Sequence, residues 1–167
     1  FTPGIFEMDL SKFCSNTSKV NATIANQLAL YLTMYSPLQM AADFPEHYEQ
    51  FADAFQFIKD VAVDWQKSKY LLAEPGDYIV VARKAKKSGQ WFAGGVTDEN
   101  SRTLDVPMNF LDPGKTYVAK IYADAPDADY QKNPQAYVIT EQEVTSESVI
   151  PVFMARGGGF AIEFREK

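Results

Sequence analysis

The chain has 167 residues and a mass of 18.7 kDa, enough for one domain or a small domain with an appendage, and its 46% hydrophobic and 23% charged content excludes disordered, collagenous and coiled-coil proteins. Sixteen Lys and Arg against 22 Asp and Glu give a net charge of −6, so neither nucleic acid nor an anionic membrane is a predicted partner. Cys14 is the only cysteine, which excludes an intrachain disulfide and a zinc site built on several thiolates.

The first third of the chain shows helical spacing. It begins at Phe1 without a methionine, a basic segment or an apolar run, so we expect neither a signal peptide nor a membrane-spanning helix. We also expect that the chain was cut from a longer one. Apolar residues between 20 and 35 recur on one helical face, and Pro37 ends that helix. The apolar run from Leu38 to Ala42 predicts a strand buried on both faces, and Pro45 opens a second helix that continues to Ile58.

A single buried strand between two helices raises a difficulty, because its backbone groups would be unpaired on both edges. Either the strand at 38–42 joins a sheet formed by the rest of the chain, or residues 1–60 are the tail of a larger parallel β/α domain. Composition favours neither alternative.

From about residue 60 the pattern changes to alternation of apolar and polar residues, with turn residues at intervals of about eight to twelve positions. The predicted strands are 61–65, 78–83, 90–96, 102–106, 117–122, 136–144, 148–154 and 160–164. This set of strands indicates an antiparallel β-sandwich, so the predicted fold class is mainly β. Residues 123–135, with two prolines and three aspartates, predict one long loop.

Two short motifs in the second half resemble ligand sites only superficially. Asp124, Asp127 and Asp129 could supply oxygen ligands for calcium, but the loop lacks the glycine and terminal glutamate of an EF-hand, so we interpret it as a solvated loop. The three glycines at 157–159 are followed by a predicted strand rather than a helix, which favours a hairpin turn over a phosphate cradle. Neither motif predicts a metal or nucleotide site.

The aromatic content of 14% suits either a β-rich core or a surface that stacks on sugar rings. Trp65 and Trp91 are the candidate sugar-stacking residues, although aromatic residues on alternating strands are more often half-buried core, which is the interpretation that we favour. The sequence leaves both interpretations, core packing and sugar stacking, open.

Catalytic residues are difficult to assign from residue type. Glycosidases use two carboxylates about 5 to 10 Å apart, and Glu7, Asp9, Asp43 and Glu46 are candidates by type only. His47 stands in no catalytic motif and is interpreted as a surface residue, and Cys14 is interpreted as a small buried apolar group.

Eight stretches that cover nearly the whole chain carry a family resemblance. They are FTPGIFEMDL (1–10), NQLALYLTMYSPLQMAAD (26–43), FQFIKDVAVDW (55–65), EPGDYIVVARK (74–84), WFAGGVTDEN (91–100), LDPGKTYVAKIYADA (111–125), NPQAYVI (133–139) and GGGFAI (157–162). Together they resemble the C-terminal end of glycoside hydrolase family 97, the bacterial α-glucosidases and α-galactosidases of the starch-utilisation type.

The resemblance implies a parent enzyme with an N-terminal β-sandwich, a central (β/α)8 barrel and a C-terminal antiparallel β-sandwich. Residues 1–60 would then be the tail of a truncated (β/α)8 catalytic barrel, with the strand at 38–42 as its eighth strand, and residues 61–167 would be the C-terminal sandwich. Because barrel active sites lie at the carboxyl ends of the strands, Thr2, Pro3 and Asp43 are expected to line the active site of the parent enzyme.

The family's general acid, its base or nucleophile and its calcium-binding glutamates belong to upstream motifs, and none of them maps onto this chain. The resemblance therefore implies no catalytic residue, metal or cofactor in the chain itself, and calcium in the catalytic domain of the parent. We expect the chain alone to be inactive and its sandwich to brace the catalytic barrel. The alternative is a carbohydrate-binding β-sandwich module for α-glucans.

Three partners follow from this interpretation. The first is the missing barrel of the same parent chain, and the second is an α-glucan or oligosaccharide. The third is another copy of the chain. Without the barrel, the apolar helix faces are expected to fold back on the sandwich, to pair with another copy or to stay partly mobile, and these alternatives stay open. The resemblance also implies a periplasmic or secreted bacterial protein.

Overall fold

The computed structural model describes residues 2–12 and 18–167, and in this part of the chain it is mainly β. Cys14 lies outside the described residues. A short 3-10 turn spans Leu10–Lys12. The helices are α1 (Ile24–Thr33), α2 (Pro45–Gln50) and α3 (Ala52–Asp60), and the strands are β1 (Trp65–Glu74), β2 (Tyr78–Ala85), β3 (Trp91–Thr97), β4 (Arg102–Pro107), β5 (Tyr117–Asp124), β6 (Tyr137–Val144), β7 (Val149–Met154) and β8 (Gly159–Glu166).

The strands form two antiparallel sheets. Six of them pair in the order β1-β2-β3-β8-β5-β6, and β4 pairs with β7 in a separate two-stranded sheet. The ladder between β2 and β3 is regular from Tyr78 opposite Thr97 to Lys84 opposite Trp91. The predicted mainly β fold with an antiparallel sandwich of eight strands is confirmed. Seven of the predicted strands lie within two residues of the observed bounds, but the strand predicted at 61–65 is wrong, because β1 begins only at Trp65 and continues to Glu74.

One hydrophobic core lies between the two sheets. Alternate residues of the central strands point into it, among them Val80 on β2 and Phe160, Ile162 and Phe164 on β8, which are at most 1% exposed. From the short sheet Met154 enters the same layer. The period of two residues in these strands is therefore the pattern that builds the sandwich.

A second core lies on the other face of the six-stranded sheet, where α1 and α3 pack. Leu28 and Leu32 of α1 and Phe57 of α3 are fully buried there, against Phe92 of β3 and Tyr122 of β5. The apolar faces of these helices are covered by the sheet. Of the three expected alternatives, folding back on the sandwich is therefore the one that α1 and α3 adopt, because the sandwich supplies the apolar surface that they need. Self-association through exposed faces of these two helices is wrong, since those faces are buried.

Close approach of α1 to the sheet depends on Gly94 in β3. A Cβ atom at this position would lie 2.9 Å from Cδ1 of Leu32 and 3.2 Å from the carbonyl oxygen of Phe160. Only a residue without a side chain leaves room for the helix at this distance. Gly94 is thus a packing requirement of the helix layer.

The connection between the helices differs from the prediction. Residues 38–42 form no strand; Leu38 and Met40 are 69% and 55% exposed. No strand of residues 2–12 or 18–167 pairs with this segment, so its backbone has no ladder to join. The amide of Ala42 donates instead to the carbonyl of Pro3. The predicted helix at 45–58 is also divided, because Phe51 leaves helical geometry at φ −129° and ψ 46°. No helix of the described ranges is long and apolar enough to cross a membrane.

Candidate functional site

The residues expected to line an active site lie together beside α1. Thr2 is exposed, Pro3 is buried, and the Asp43 side chain is only 4% exposed. One carboxylate oxygen of Asp43, Oδ2, accepts hydrogen bonds of 2.7 Å from the backbone amides of Phe6 and Glu7. Asp43 therefore fixes the extended segment 3–7, which we call the N-terminal strap, to the start of α2.

The second oxygen of this carboxylate is also occupied. Oδ1 of Asp43 accepts from the amide of Phe44 at 2.8 Å and lies 2.5 Å from Nδ1 of His47. Burial alone would raise the pKa of Asp43, but the hydrogen bonds from His47 and from the amides of Glu7, Phe44 and Phe6 outweigh it and lower the pKa. Asp43 is consequently an anion at neutral pH and a positioning group rather than a proton donor.

His47 is not the free surface residue that the sequence predicted. Its side chain is 16% exposed and pairs with Asp43 one helical turn earlier. The separation of four residues between Asp43 and His47 is a signal in the sequence that could have identified this pair.

The N-terminal strap is also held by side chains from the helices. Oε1 of Gln27 accepts from the amides of Gly4 and Ile5 at 3.1 and 3.2 Å. The Tyr48 hydroxyl donates to the carbonyl of Gly4 at 2.7 Å, and the Tyr31 hydroxyl lies 3.2 Å from the carbonyl of Pro3. Helical spacing in the sequence does not reveal these roles of Tyr31 and Tyr48, because it carries no information on the position of the strap.

The two tryptophans do not form a common platform. Trp91 is 2% exposed and lies in the core between the sheets, 5.1 Å from the ring of Phe110, so the expectation that it stacks on sugar is wrong. Trp65 is partly exposed and packs edge-on against Phe92, in the core on the opposite face of the same sheet. Its role in sugar stacking stays a prediction for Trp65 alone.

Asp124 differs from the solvated loop residue that the sequence predicted. It is 2% exposed, and its Oδ2 accepts from the amides of Ala155 and Gly159 at 2.8 Å each. Burial raises the pKa of Asp124 to about 6, against the opposing effect of hydrogen bonds from Thr23 and the two amides. This carboxyl therefore ties the end of β5 to the turn at residues 157–159, which we call the glycine turn. The carbonyl of Gly157 in that turn accepts from the amide of Thr23, just before α1, at 3.2 Å.

The glycine turn has no space for side chains at two of its positions. A Cβ atom on Gly158 would lie 1.9 Å from Oδ2 of Asp124, and a Cβ atom on Gly159 would lie 2.6 Å from the carbonyl oxygen of Gly95. The turn thus brings backbone close to backbone. The predicted hairpin at this position is wrong, because β7 and β8 on either side of the turn belong to different sheets and do not pair. Across residues 2–12 and 18–167 no three His, Cys, Asp or Glu side chains are grouped to hold a metal ion.

Comparison with known proteins assigns the family. Residues 64–165 match the family model described as "Glycosyl-hydrolase 97 C-terminal, oligomerisation". The chain belongs to glycoside hydrolase family 97. This family 97 chain is 31% identical over 152 residues to a retaining α-galactosidase of Bacteroides thetaiotaomicron, covering 91% of the chain and 22% of the relative. It is 28% identical over 162 residues to a probable retaining α-galactosidase of Streptomyces bingchenggensis, covering 96% of the chain and 22% of the relative.

A solved structure covers the whole of the family 97 chain. A family 97 enzyme of Pseudoalteromonas sp. strain K8, determined in complex with panose and in complex with acarbose, is 44% identical and superposes with a TM-score of 0.95. The match covers 100% of this chain and 26% of that enzyme. The family 97 chain therefore spans 22% to 26% of the length of these relatives.

Proposed function

We propose that this chain is the non-catalytic C-terminal part of a glycoside hydrolase that acts on α-galactosides or α-glucosides, and that its sandwich braces the catalytic barrel. The relatives support the substrate class, since two are named as retaining or probable retaining α-galactosidases and one was solved with panose and with acarbose. The short coverage of those relatives supports a non-catalytic part, because both carboxylates of a glycosidase would lie elsewhere in the parent.

The observation that carries the bracing role is an apolar surface on the connection between α1 and α2. Five large apolar side chains are between 49% and 69% exposed within eleven residues, and we call them the 34–44 patch: Met34, Tyr35, Leu38, Met40 and Phe44. An exposed apolar patch of this kind marks a docking surface. Its occupant in our proposal is the upstream catalytic part of the same parent chain.

The N-terminal strap lies beside this patch and is held by Asp43. Because the Asp43 carboxylate binds the amides of Phe6, Glu7 and Phe44, it fixes the strap relative to the patch. We propose that Thr2 and Pro3, so positioned, line the rim of the active site when the barrel is present. Asp43 would not itself lie at that rim but would position it, by holding the backbone of the strap in place.

The bracing role is tested by combining this chain with the separately purified upstream part of the parent. We expect the chain alone to give no hydrolysis of nitrophenyl α-galactoside or α-glucoside above a blank, and to bind the upstream part in titration calorimetry. The double variant Leu38→Asp, Met40→Asp should weaken binding by roughly tenfold or more, because charges would enter a desolvated interface. Val149→Asp, at 57% exposure on β7, is the matched control and should bind normally.

Two results would contradict the proposal. Hydrolysis by the chain alone would show that it carries its own acid and base. Equal binding by the double variant and the control would remove the 34–44 patch as the docking surface.

A second candidate function is binding of α-glucan, and it is favoured by two exposed tyrosines. Tyr35 and Tyr70 are 54% and 68% exposed, and Tyr35 lies with its ring 5.6 Å from the guanidinium carbon of Arg83. Exposed aromatic rings of this kind can stack on sugars. Titration with maltooligosaccharides tests this function: heat that is lost in Tyr70→Ala would support it, and no heat at all would eliminate it.

Two further expectations belong to the parent. We propose that calcium is bound in its catalytic part, which is what the family resemblance implies. We also propose a periplasmic or secreted location, which fractionation of the source bacterium would test.

A further inference from the structure

Arg83 on β2 is a cation buried at the end of α1. Among the side chains whose burial the structure describes it is the one buried cation, at 5% exposure. Its Nε donates to the carbonyl of Leu32 in the last turn of α1 at 2.6 Å, and a terminal nitrogen donates to Oγ of Ser68 on β1 at 2.6 Å. Arg83 therefore joins α1 to the edge of the six-stranded sheet.

No Asp or Glu side chain in the described part of the chain forms an ion pair with Arg83. Burial lowers the pKa of Arg83, and the groups that oppose this effect are Tyr70 and Tyr35 rather than an acid. By contrast, a carboxylate oxygen of the buried Glu163 lies 3.7 Å from Nζ of Lys120. Because a buried charge is costly without an opposite charge beside it, Arg83 is suited to bind an acidic group from outside these residues.

Two exposed tyrosines flank the guanidinium of Arg83. The ring of Tyr35 lies 5.6 Å from its Cζ atom, and the hydroxyl of Tyr70 interacts with it as well. Both tyrosines are more than half exposed. Exposed side chains change rotamer within nanoseconds, so these two rings do not close off Arg83 as packed core side chains would. We call Arg83, Tyr35 and Tyr70 the arginine cluster.

The arginine cluster is continuous with the 34–44 patch. Tyr35 belongs to both, and Leu32, whose carbonyl binds Arg83, stands two residues before the patch. Tyr70 extends the surface onto β1, which is an edge strand of the six-stranded sheet. Arg and Tyr are among the residue types that most often carry the binding energy of an interface. A partner docked on the patch would therefore also cover the cluster.

We propose that an acidic side chain of the upstream catalytic part forms an ion pair with Arg83 when that part docks on the 34–44 patch. This inference rests on the bracing role, whose occupant is the rest of a parent of which the chain spans only 22% to 26% in its relatives. The carboxylate would lie between Tyr35 and Tyr70 and accept from the terminal nitrogens of the guanidinium. The patch would supply apolar area, and Arg83 would fix the orientation of the partner.

Melting of the whole parent enzyme and of this chain, each with the same substitutions, tests the proposal, because the carboxylate is present only in the parent. Arg83→Met should lower the melting temperature of the parent by roughly twice as many degrees as that of the chain, since it also leaves the carboxylate unpaired. Lys87→Met removes an exposed cation in the turn between β2 and β3. This control for net charge should shift both melting temperatures by about a degree or less.

Arg83→Lys in the parent gives a second measurement if Arg83→Met does not fold. Carbodiimide joins a lysine amine, but not a guanidinium, to a carboxylate in contact with it. Mass spectrometry of the treated variant should therefore find position 83 linked to an acidic residue of the upstream part, and the unmodified parent should lack this link.

Leu38→Asp, Met40→Asp in the same two proteins tests the bracing role separately, and should lower the melting temperature of the parent more than that of the chain. With that result in hand, equal losses for Arg83→Met in parent and chain would overturn the ion pair and leave the bracing role intact. A folded Arg83→Lys parent without the cross-link would do the same. If the double variant loses no more in the parent than in the chain, the bracing role and the ion pair are both wrong.

Discussion

Asp43 and Asp124 are both shielded carboxyls, yet their neighbours shift their pKa values in opposite directions. For Asp43, four hydrogen bonds to the charged form outweigh burial and lower the pKa. For Asp124, burial dominates and raises the pKa to about 6. The difference arises because Asp43 binds a histidine and backbone amides on both oxygens, whereas the described amide bonds to Asp124 converge on one oxygen.

The raised pKa of Asp124 predicts a pH dependence of stability. Because the folded-state pKa is about 6 and the ordinary value is 3.8, the folded state binds this proton more tightly than the unfolded state. The contribution of Asp124 to the free energy of unfolding is therefore greatest at low pH, falls as the pH rises through the window between these values, and is constant above it. The fall corresponds to about 3 kcal/mol.

Asp124→Asn should remove this dependence, because the amide keeps the acceptor oxygen and does not titrate. Urea unfolding across the window measures it, as the difference between the unmodified chain and the variant. Asp127→Asn, in the same loop but exposed, is the control and should behave as the unmodified chain does. A parallel pH profile for Asp124→Asn and the unmodified chain would show that the carboxyl titrates near its ordinary pKa.

At the scale of elements, the structure depends on how closely α1 lies on β3. Gly94→Ala places a methyl group against Leu32 and the backbone of Phe160, and should lower the free energy of unfolding by about 1 to 3 kcal/mol. Leu32→Ala opens space at the same point, so Gly94→Ala should be less destabilising in that background. A double-mutant cycle of urea unfolding measures this coupling. Strict additivity would mean that the helix does not press on Gly94.

Two segments between α1 and β1 show which structural features a local sequence pattern does not determine. Residues 38–42 have the composition of a buried strand and Pro45 to Ile58 have the spacing of one helix, but the first is an exposed connection and the second bends at Phe51. A strand exists only where another strand pairs with it, and this information is not contained in five residues.

The whole molecule is a sandwich with a helix layer on its outer face, so the six-stranded sheet is buried on both sides over its centre. The family model begins at residue 64, and the division of the chain into residues 1–60 and 61–167 stays a prediction. Because Phe92 and Tyr122 share a core with Leu28 and Phe57, the two parts depend on one another in folding.

Removing residues 1–60 should therefore uncover the outer face of the sheet. We expect residues 61–167 alone to melt at a lower temperature than the whole chain and to bind more of an apolar dye such as ANS, because the aromatic side chains under α1 and α3 become exposed. Differential scanning fluorimetry and dye titration measure both effects. Unfolding at the same temperature without extra dye binding would mean that the sandwich is independent of the helices.

Much of this architecture is already present in the sequence. Alternation and turn residues predicted seven of the eight sandwich strands, β1 being the exception, and the quoted stretches predicted family 97. The single cysteine excluded a disulfide. These properties depend on local periodicity and on residue types, which are visible in any linear sequence.

The tertiary structure decided the environment of individual side chains. It placed Trp91 between the sheets, buried Asp124 beneath the glycine turn and joined His47 to Asp43. It also paired residues 38–42 with none of the strands in the described part of the chain. The burial and the pairing of a side chain depend on contacts between segments that are distant in sequence. Such contacts produce no regular spacing of residue types along the chain. The sequence thus determined the elements and the family, whereas only the packing of those elements determined which residues tie the helices to the sandwich and which surfaces stay open to a partner.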